Sequence, residues 1–160
     1  MSDEEKDRSG AAVRMPPPLV PIIALGVGFA VTWLFGDLPN PIAGTERFVI
    51  GGLLVLAGFG LMAMAIGLFR KSGQDPAPWA SSPELIAEGI YRWTRNPMYL
   101  GMGLVQAGLG ALFSNMWIVA LVPLTWVVIY FIAIRHEEAY LESTFGAPYL
   151  DYKKSVRRWF

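Results

Sequence analysis

The chain has no cysteine, one histidine and few charges. The lack of Cys excludes disulfides, thiolate nucleophiles and Cys-ligated metal sites together. With His136 as the only His, a His-cluster metal site within one chain is excluded as well, and no metal is expected. Charged residues make up 16% of the 160 residues and hydrophobic residues 54%. A soluble domain usually carries about 25% charged residues. The deficit points to lipid as the solvent for much of the surface. Net charge is zero, so bulk charge gives no reason to expect a nucleic-acid partner.

Four stretches lack charge altogether. Leu19 to Gly36 is apolar, preceded by Pro16, Pro17 and Pro18 and interrupted only by Pro21. Phe48 to Phe69 is the second, and it is rich in glycine (Gly51, Gly52, Gly58, Gly60, Gly67), which permits close helix approach in a membrane. Gly52 and Gly60 are spaced to share one helix face. Pro97 to Phe113 and Met116 to Ile134 are separated only by Ser114-Asn115, which reads as a tight turn within a helical hairpin. Pro123 is expected to kink the second arm. These lengths lie near the roughly 20 residues a bilayer requires.

The remaining segments are polar. Residues 1–14 read as a disordered tail, with acidic residues where a signal peptide would be positive. Asp37, Pro39, Asn40 and Pro41 make a short turn-rich loop. Ser72 to Glu88, with Pro76, Pro78 and Pro83, is a loop long enough to carry function. From Arg135 the fourth helix continues into water to about Ser143. Gly146 is a helix stop and Pro148 starts a short final helix. There Tyr149, Tyr152, Val156 and Trp159 share a face, with Lys153, Lys154, Arg157 and Arg158 around it. That is the pattern of a helix lying on an anionic membrane surface, with Arg157 and Arg158 as its anchors.

Of the 13 Lys and Arg residues, only Arg47 lies on one side of the four apolar stretches. The positive-inside rule therefore puts both ends of this chain and the long loop in the cytoplasm. The expected fold is an all-α integral membrane protein. It has four transmembrane helices, including a C-terminal helical hairpin, followed by a short amphipathic cytoplasmic helix. Residues 15–71 supply the first two helices, and 72–160 the loop, the hairpin and the interfacial helix. The membrane would be the prokaryotic inner membrane.

The most residue-specific stretch runs from Gly89 to Gly101. Asn96 can cap the free amides of a helix whose first position is Pro97. Arg95, Asn96, Tyr91 and Tyr99 would then stand at the membrane surface, suited to a polar cofactor. Because the hairpin returns to the same face, these residues should meet His136, Glu137 and Glu138.

The pattern GxYxxxRNPxYLG (Gly89 to Gly101), an apolar hairpin, then EExxLxxxFGxxYxxYxxxVxR (Glu137 to Arg158) resembles the isoprenylcysteine carboxyl methyltransferases and their phospholipid methyltransferase relatives. The match runs from about Pro83 onward. It implies S-adenosylmethionine as cofactor. Carried over by position, its site takes Pro83, Glu84, Leu85 and Ile86 from the loop, then Tyr91, Asn96, Pro97, Met98, Tyr99 and Glu137. Tyrosine rings suit an adenine or a sulfonium, and a carboxylate suits a ribose or an amino group. A lipophilic or small-molecule acceptor, carboxylate or amine, would approach from the membrane lipid. An amine needs a base, for which Glu138 or His136 is placed, with Arg135 beside them. Asn96 stands where many members have His. Ala133 stands where prenyl-cysteine enzymes carry an Arg thought to meet substrate. This departure points away from prenyl-cysteine.

Two other functions fit the same residues. A membrane reductase of the sterol-reductase type would hold NADPH, with Arg92, Arg95 and Arg135 available for its 2′-phosphate. A non-enzymatic membrane protein would need none of these side chains for a ligand.

Overall fold

A computed structural model describes residues 10–13, 15–42 and 44–159, and among them every regular element is helical. Helix α1 spans Leu19–Phe35, α2 Glu46–Lys71 and α3 Pro97–Leu112. A 3₁₀ turn at Gly89–Arg92 precedes α3. A longer helical rod then runs from Met116 to Phe145. It consists of α4 (Met116–Ala120), α5 (Val122–Ile129), a π-helical turn (Tyr130–Ile134) and α6 (Arg135–Phe145). Helix α7 is Ala147–Ser155.

The breaks in the rod have local causes. Pro123 sits in the first turn of α5, where its missing N–H costs least, so the helix restarts at Leu121. Gly146, at φ 57°, ends α6 in a conformation that favours glycine, and its N–H bonds Glu142 O at 3.0 Å. The π turn has no signature in the sequence. Such turns are frequent at functional sites.

The hairpin forms as expected. Ser114 takes φ 56° at its tip, and the Asn115 side chain accepts from Ile118 N at 3.2 Å to cap α4. Inside, Gln106 Nε2 donates to Ile118 O (3.0 Å) and Thr125 Oγ1 donates to Gln106 Oε1 (2.8 Å), both side chains fully buried. These two bonds lock the arms where no water can substitute.

Helix α2 lies on α3, and α1 on α4 and α5. The α2–α3 contact is built from glycines. A Cβ on Gly58 would stand 2.6 Å from Gly101 O, and one on Gly101 2.6 Å from Gly58 O. Gly51 and Gly108 repeat this reciprocal approach one heptad away. The expected Gly52–Gly60 face is not the packed one: a Cβ on either meets nothing within 4 Å. Backbones cross on the 51/58 register because the opposing glycines of α3 are spaced to match it.

Phe29, Trp33, Phe35, Leu53, Leu56 and Phe59 are exposed on α1 and α2. An apolar belt of this kind suits a surface solvated by lipid. The helices Glu46–Lys71 and Met116–Phe145 are long and apolar enough to cross a membrane, and α1 is a shorter apolar helix. This is the architecture of an integral membrane protein. The polar groups gather at one end, around the start of α3, α6, α7 and the loop after α2.

Of the segment expected to be a disordered tail, 1–9 and 14 lie outside the described residues. Gly10 to Val13 is ordered. Gly10 N and Ala11 N bond Trp79 O (3.1 Å) and Pro78 O (3.0 Å), and Ala11 and Val13 are buried. The tail and the proline-rich loop satisfy each other's backbone, which neither does alone.

Candidate cofactor cleft

The start of α3 is shaped by a strap that follows α7. Asn96 occupies the cap position, but its side chain makes no capping bond. Its Nδ2 instead donates to Arg158 O at 3.0 Å. Thr94 Oγ1 donates to the same carbonyl at 3.1 Å and accepts from Asn96 N at 3.2 Å. Arg95 N donates to Arg157 O at 3.0 Å. Residues 156–159 are thus not the end of a surface helix. They leave α7 at Val156, and Trp159 packs on Trp126 with ring centroids 5.5 Å apart. Trp126 in turn donates to Tyr99 O at 3.1 Å.

The hairpin delivers the α3 start to α6. Tyr99 donates its phenolic hydrogen to Glu137 Oε1. Among the described residues Glu137 has no cationic partner. Its half-buried carboxyl lies beyond the apolar run that ends at Ile134. Removal from water pushes its pKa up to about 7; the Tyr99 hydrogen bond opposes this, and the neighbouring Glu138 charge adds to it.

Glu138 is the opposite case. Arg158 binds it bidentately, Nε to Oε1 and Nη2 to Oε2, each at 2.9 Å. Arg95 Nη1 lies 3.2 Å from Oε1. Burial works to raise its pKa, but the Arg158 hydrogen bond and the Arg95 and Arg158 charges outweigh that and hold it below the ordinary carboxylate value. Glu138 is therefore a fixed anion within an ion network, poorly suited to be a base. The same contact raises Arg158 further above its ordinary value.

Around these groups is a cleft with two adjoining lobes, about 610 and 510 Å³ of open space. Phe69, Ser82, Tyr91, Arg95, Asn96, Glu137 and Leu141 border both. Pro97, Met98 and Tyr99 line the first; Glu84, Leu85, Ile86 and Glu138 line the second. Pro83 lines neither lobe; it borders an adjoining hollow with Ser82, Tyr140 and Phe145. Tyr91 is buried, with its edge toward Phe69 (6.0 Å between centroids), and its carbonyl accepts from Tyr152 Oη at 2.7 Å. Burial, then the Glu137 charge, raises the Tyr91 pKa. Burial raises Tyr149 to about 12. These phenols are neutral donors at neutral pH.

Arg135 and His136 do not meet the cleft. They border a hollow with Ala12, Met15, Phe131 and Ile132, and Arg135 Nε points to His136 Nε2 at 3.2 Å. On a helix, neighbours of Glu137 and Glu138 project to a different side. Arg92 is exposed and lines neither lobe. Conversely, Phe69, Tyr140, Tyr149 and Tyr152 border the cleft without having been expected there. Tyr149 and Tyr152 belong to the FGxxYxxY run, which marked them as part of a pattern but not of a site. Phe69 carried no signal beyond closing an apolar stretch.

Arg95 is the most telling residue. Its side chain is 9% exposed, and Nε and Nη1 lack a hydrogen-bond acceptor among the described residues. A buried guanidinium with free donors is costly unless a ligand completes it. The cleft thus offers a lone carboxylate and an under-bonded guanidinium within one space.

The fold defines an all-helical integral membrane protein with a polar cleft at one end of its helices. The model of the family described as phospholipid methyltransferase matches residues 46–148, and the chain belongs to that family. Similar curated proteins are the protein-S-isoprenylcysteine O-methyltransferases of Saccharomyces cerevisiae, 35% identical over 68% of this chain and 46% of the relative, and of Schizosaccharomyces pombe, 36% identical over 45% and 30%. The chain spans about half the length of the first of these or less. A solved eukaryotic intramembrane Ras methyltransferase, isoprenylcysteine carboxyl methyltransferase, superposes with a TM-score of 0.64 at 24% identity, over 91% of this chain and 52% of that one. At that identity the likeness shows the fold alone.

Proposed function

We propose that this chain is an S-adenosylmethionine-dependent membrane methyltransferase acting on a lipophilic or small acceptor at the cytoplasmic face. The observation that carries this reading is the presence of Glu137 and Arg95, unpaired with each other, in the lining of one cleft. A free carboxylate and an under-bonded guanidinium match the ammonium and carboxylate of an amino-acid end. Tyr91, Phe69 and Tyr152 supply apolar and aromatic surface for a purine. Membership of the family supports the same cofactor.

S-adenosylmethionine, when bound, supplies an activated methyl group on a sulfonium. The chain's own residues bind and orient. Glu137 faces positive charge; Arg95 takes a carboxylate; Tyr99 fixes the Glu137 rotamer; the α3 start and the 82–86 loop exclude water. Neither Glu138, held charged by two arginines, nor His136, outside the cleft, is available as a base. A carboxylate acceptor, already charged at neutral pH, suits such a site better than an ammonium. Orientation alone can contribute up to about 7–11 kcal/mol in ideal cases.

We place four helical segments across the membrane, Leu19–Phe35, Glu46–Lys71, Pro97–Leu112 and Met116 to Ile134, with both ends of this chain in the cytoplasm of a prokaryotic cell. Support for the orientation is the clustering of Lys and Arg on the cleft side.

Calorimetric titration of detergent-solubilised protein with S-adenosylmethionine, with NADPH in parallel, tests the reading. Saturable S-adenosylmethionine binding that Glu137→Ala abolishes is expected. NADPH binding in its place would overturn it.

A further inference from the structure

Arg158 spends two of its donors on Glu138, the carboxylate of the second lobe that also lies beside Arg95. Both Glu138 oxygens accept from Arg158 at 2.9 Å, whereas Arg95 reaches Oε1 at 3.2 Å without hydrogen-bond geometry. Two guanidinium groups therefore compete for one carboxylate, and Arg158 wins. It wins because its strap is fixed elsewhere. Its carbonyl accepts from Thr94 and Asn96, its guanidinium sits over the Tyr130 ring at 5.0 Å, and Trp159 packs on Trp126. Were Arg158 absent, Glu138 would be free to close a bidentate pair with Arg95, the arrangement such groups favour. Arg95 would then have two fewer donors to offer.

We propose that Arg158 is a positioning residue that occupies both oxygens of Glu138, so that Arg95 is kept from a bidentate pair with it and retains guanidinium donors for the carboxylate of the cofactor's amino-acid end. The proposal rests on the cofactor assigned above. It predicts a selectivity effect, which loosening of the strap alone would not produce.

The test measures dissociation constants of S-adenosylhomocysteine, which has that carboxylate, and 5′-methylthioadenosine, which lacks it, on the detergent-solubilised chain. Wild type is expected to prefer S-adenosylhomocysteine. Arg158→Ala should weaken S-adenosylhomocysteine by roughly 10- to 100-fold, the scale of a charged hydrogen-bond pair, and leave methylthioadenosine within about twofold. Adding Glu138→Gln to Arg158→Ala should recover most of the loss, because the amide no longer competes for Arg95. Methylthioadenosine binding retained by Arg158→Ala shows that the single variant is folded. Equal weakening of both ligands by Arg158→Ala, no weakening, or no recovery in the double variant would overturn the proposal. Wild-type binding of both ligands without preference would overturn it while leaving the cofactor assignment standing. Binding of neither by folded wild type would overturn both.

Discussion

Tyr99 and Glu137, one in the first turn of α3 and one in the first turn of α6, are joined phenol to carboxylate across the open end of the hairpin. The bond exists because the two arms return the chain to the same membrane face. It gives Glu137 its only protein partner among the described residues. Tyr99→Phe removes a hydrogen bond to a charged group, a class worth about 1.5–3 kcal/mol. We expect thermal stability in detergent to fall by that order, and S-adenosylmethionine affinity to fall roughly 10-fold or more as Glu137 loses its fixed position. Calorimetry and a melting curve on the same sample check both halves.

The raised pKa of Glu137, about 7, fixes a pH dependence. An acid whose pKa is raised is neutral below that value and charged above it. A cationic ligand group binds the charged form, so affinity should be full above about pH 7 and fall as pH drops, by up to about tenfold per unit. Dissociation constants from about pH 8 to about pH 5.5 test this. Glu137→Gln should bind weakly and without that slope; an unchanged slope would assign the titration to another group.

Arg135 and His136 border a hollow apart from the cleft. Arg135→Ala and His136→Ala should each leave S-adenosylmethionine binding within about twofold, since surface changes away from a site seldom exceed about 0.5 kcal/mol. A large loss in either would place these side chains at the cofactor after all.

Gly58 and Gly101 allow α2 and α3 to touch backbone to backbone. Gly58→Leu must separate the helices, and overpacking typically costs about 1–3 kcal/mol. We expect a lower melting temperature and lower yield. Gly60→Leu, on a face where a Cβ meets nothing within 4 Å, should be tolerated. Comparing the two in one detergent separates packing from a general loss of glycine.

Gln106 and Thr125 form a buried polar pair within the hairpin. Gln106→Leu leaves both Thr125 Oγ1 and Ile118 O without their partner, and should cost about 0.6 kcal/mol, up to about 1.7 in a membrane protein. Gln106→Leu with Thr125→Val should recover part of this, because removing both members of a pair costs less than orphaning one. Thermal unfolding of the three variants completes the cycle.

The sequence by itself determined the parts that depend on local composition. Charge-free runs marked the helices, Ser114-Asn115 the hairpin tip, Pro97, Pro123 and Gly146 the starts and stops. The motif from Gly89 to Gly101 with Glu137 marked where the cleft would be, because residues at one end of a hairpin must share a membrane face. What only the tertiary structure decided is which polar groups pair. Asn96 could have capped α3, but its Nδ2 is turned to the strap carbonyl of Arg158 and its side chain makes no cap. Arg158 looked like a surface anchor, since nothing local to it reveals that Glu138 waits on another helix. Glu137 and Glu138 are adjacent and chemically identical, yet one is left without a cation and the other held by two. That difference comes from the direction each side chain takes from the helix, and from what the fold has placed there.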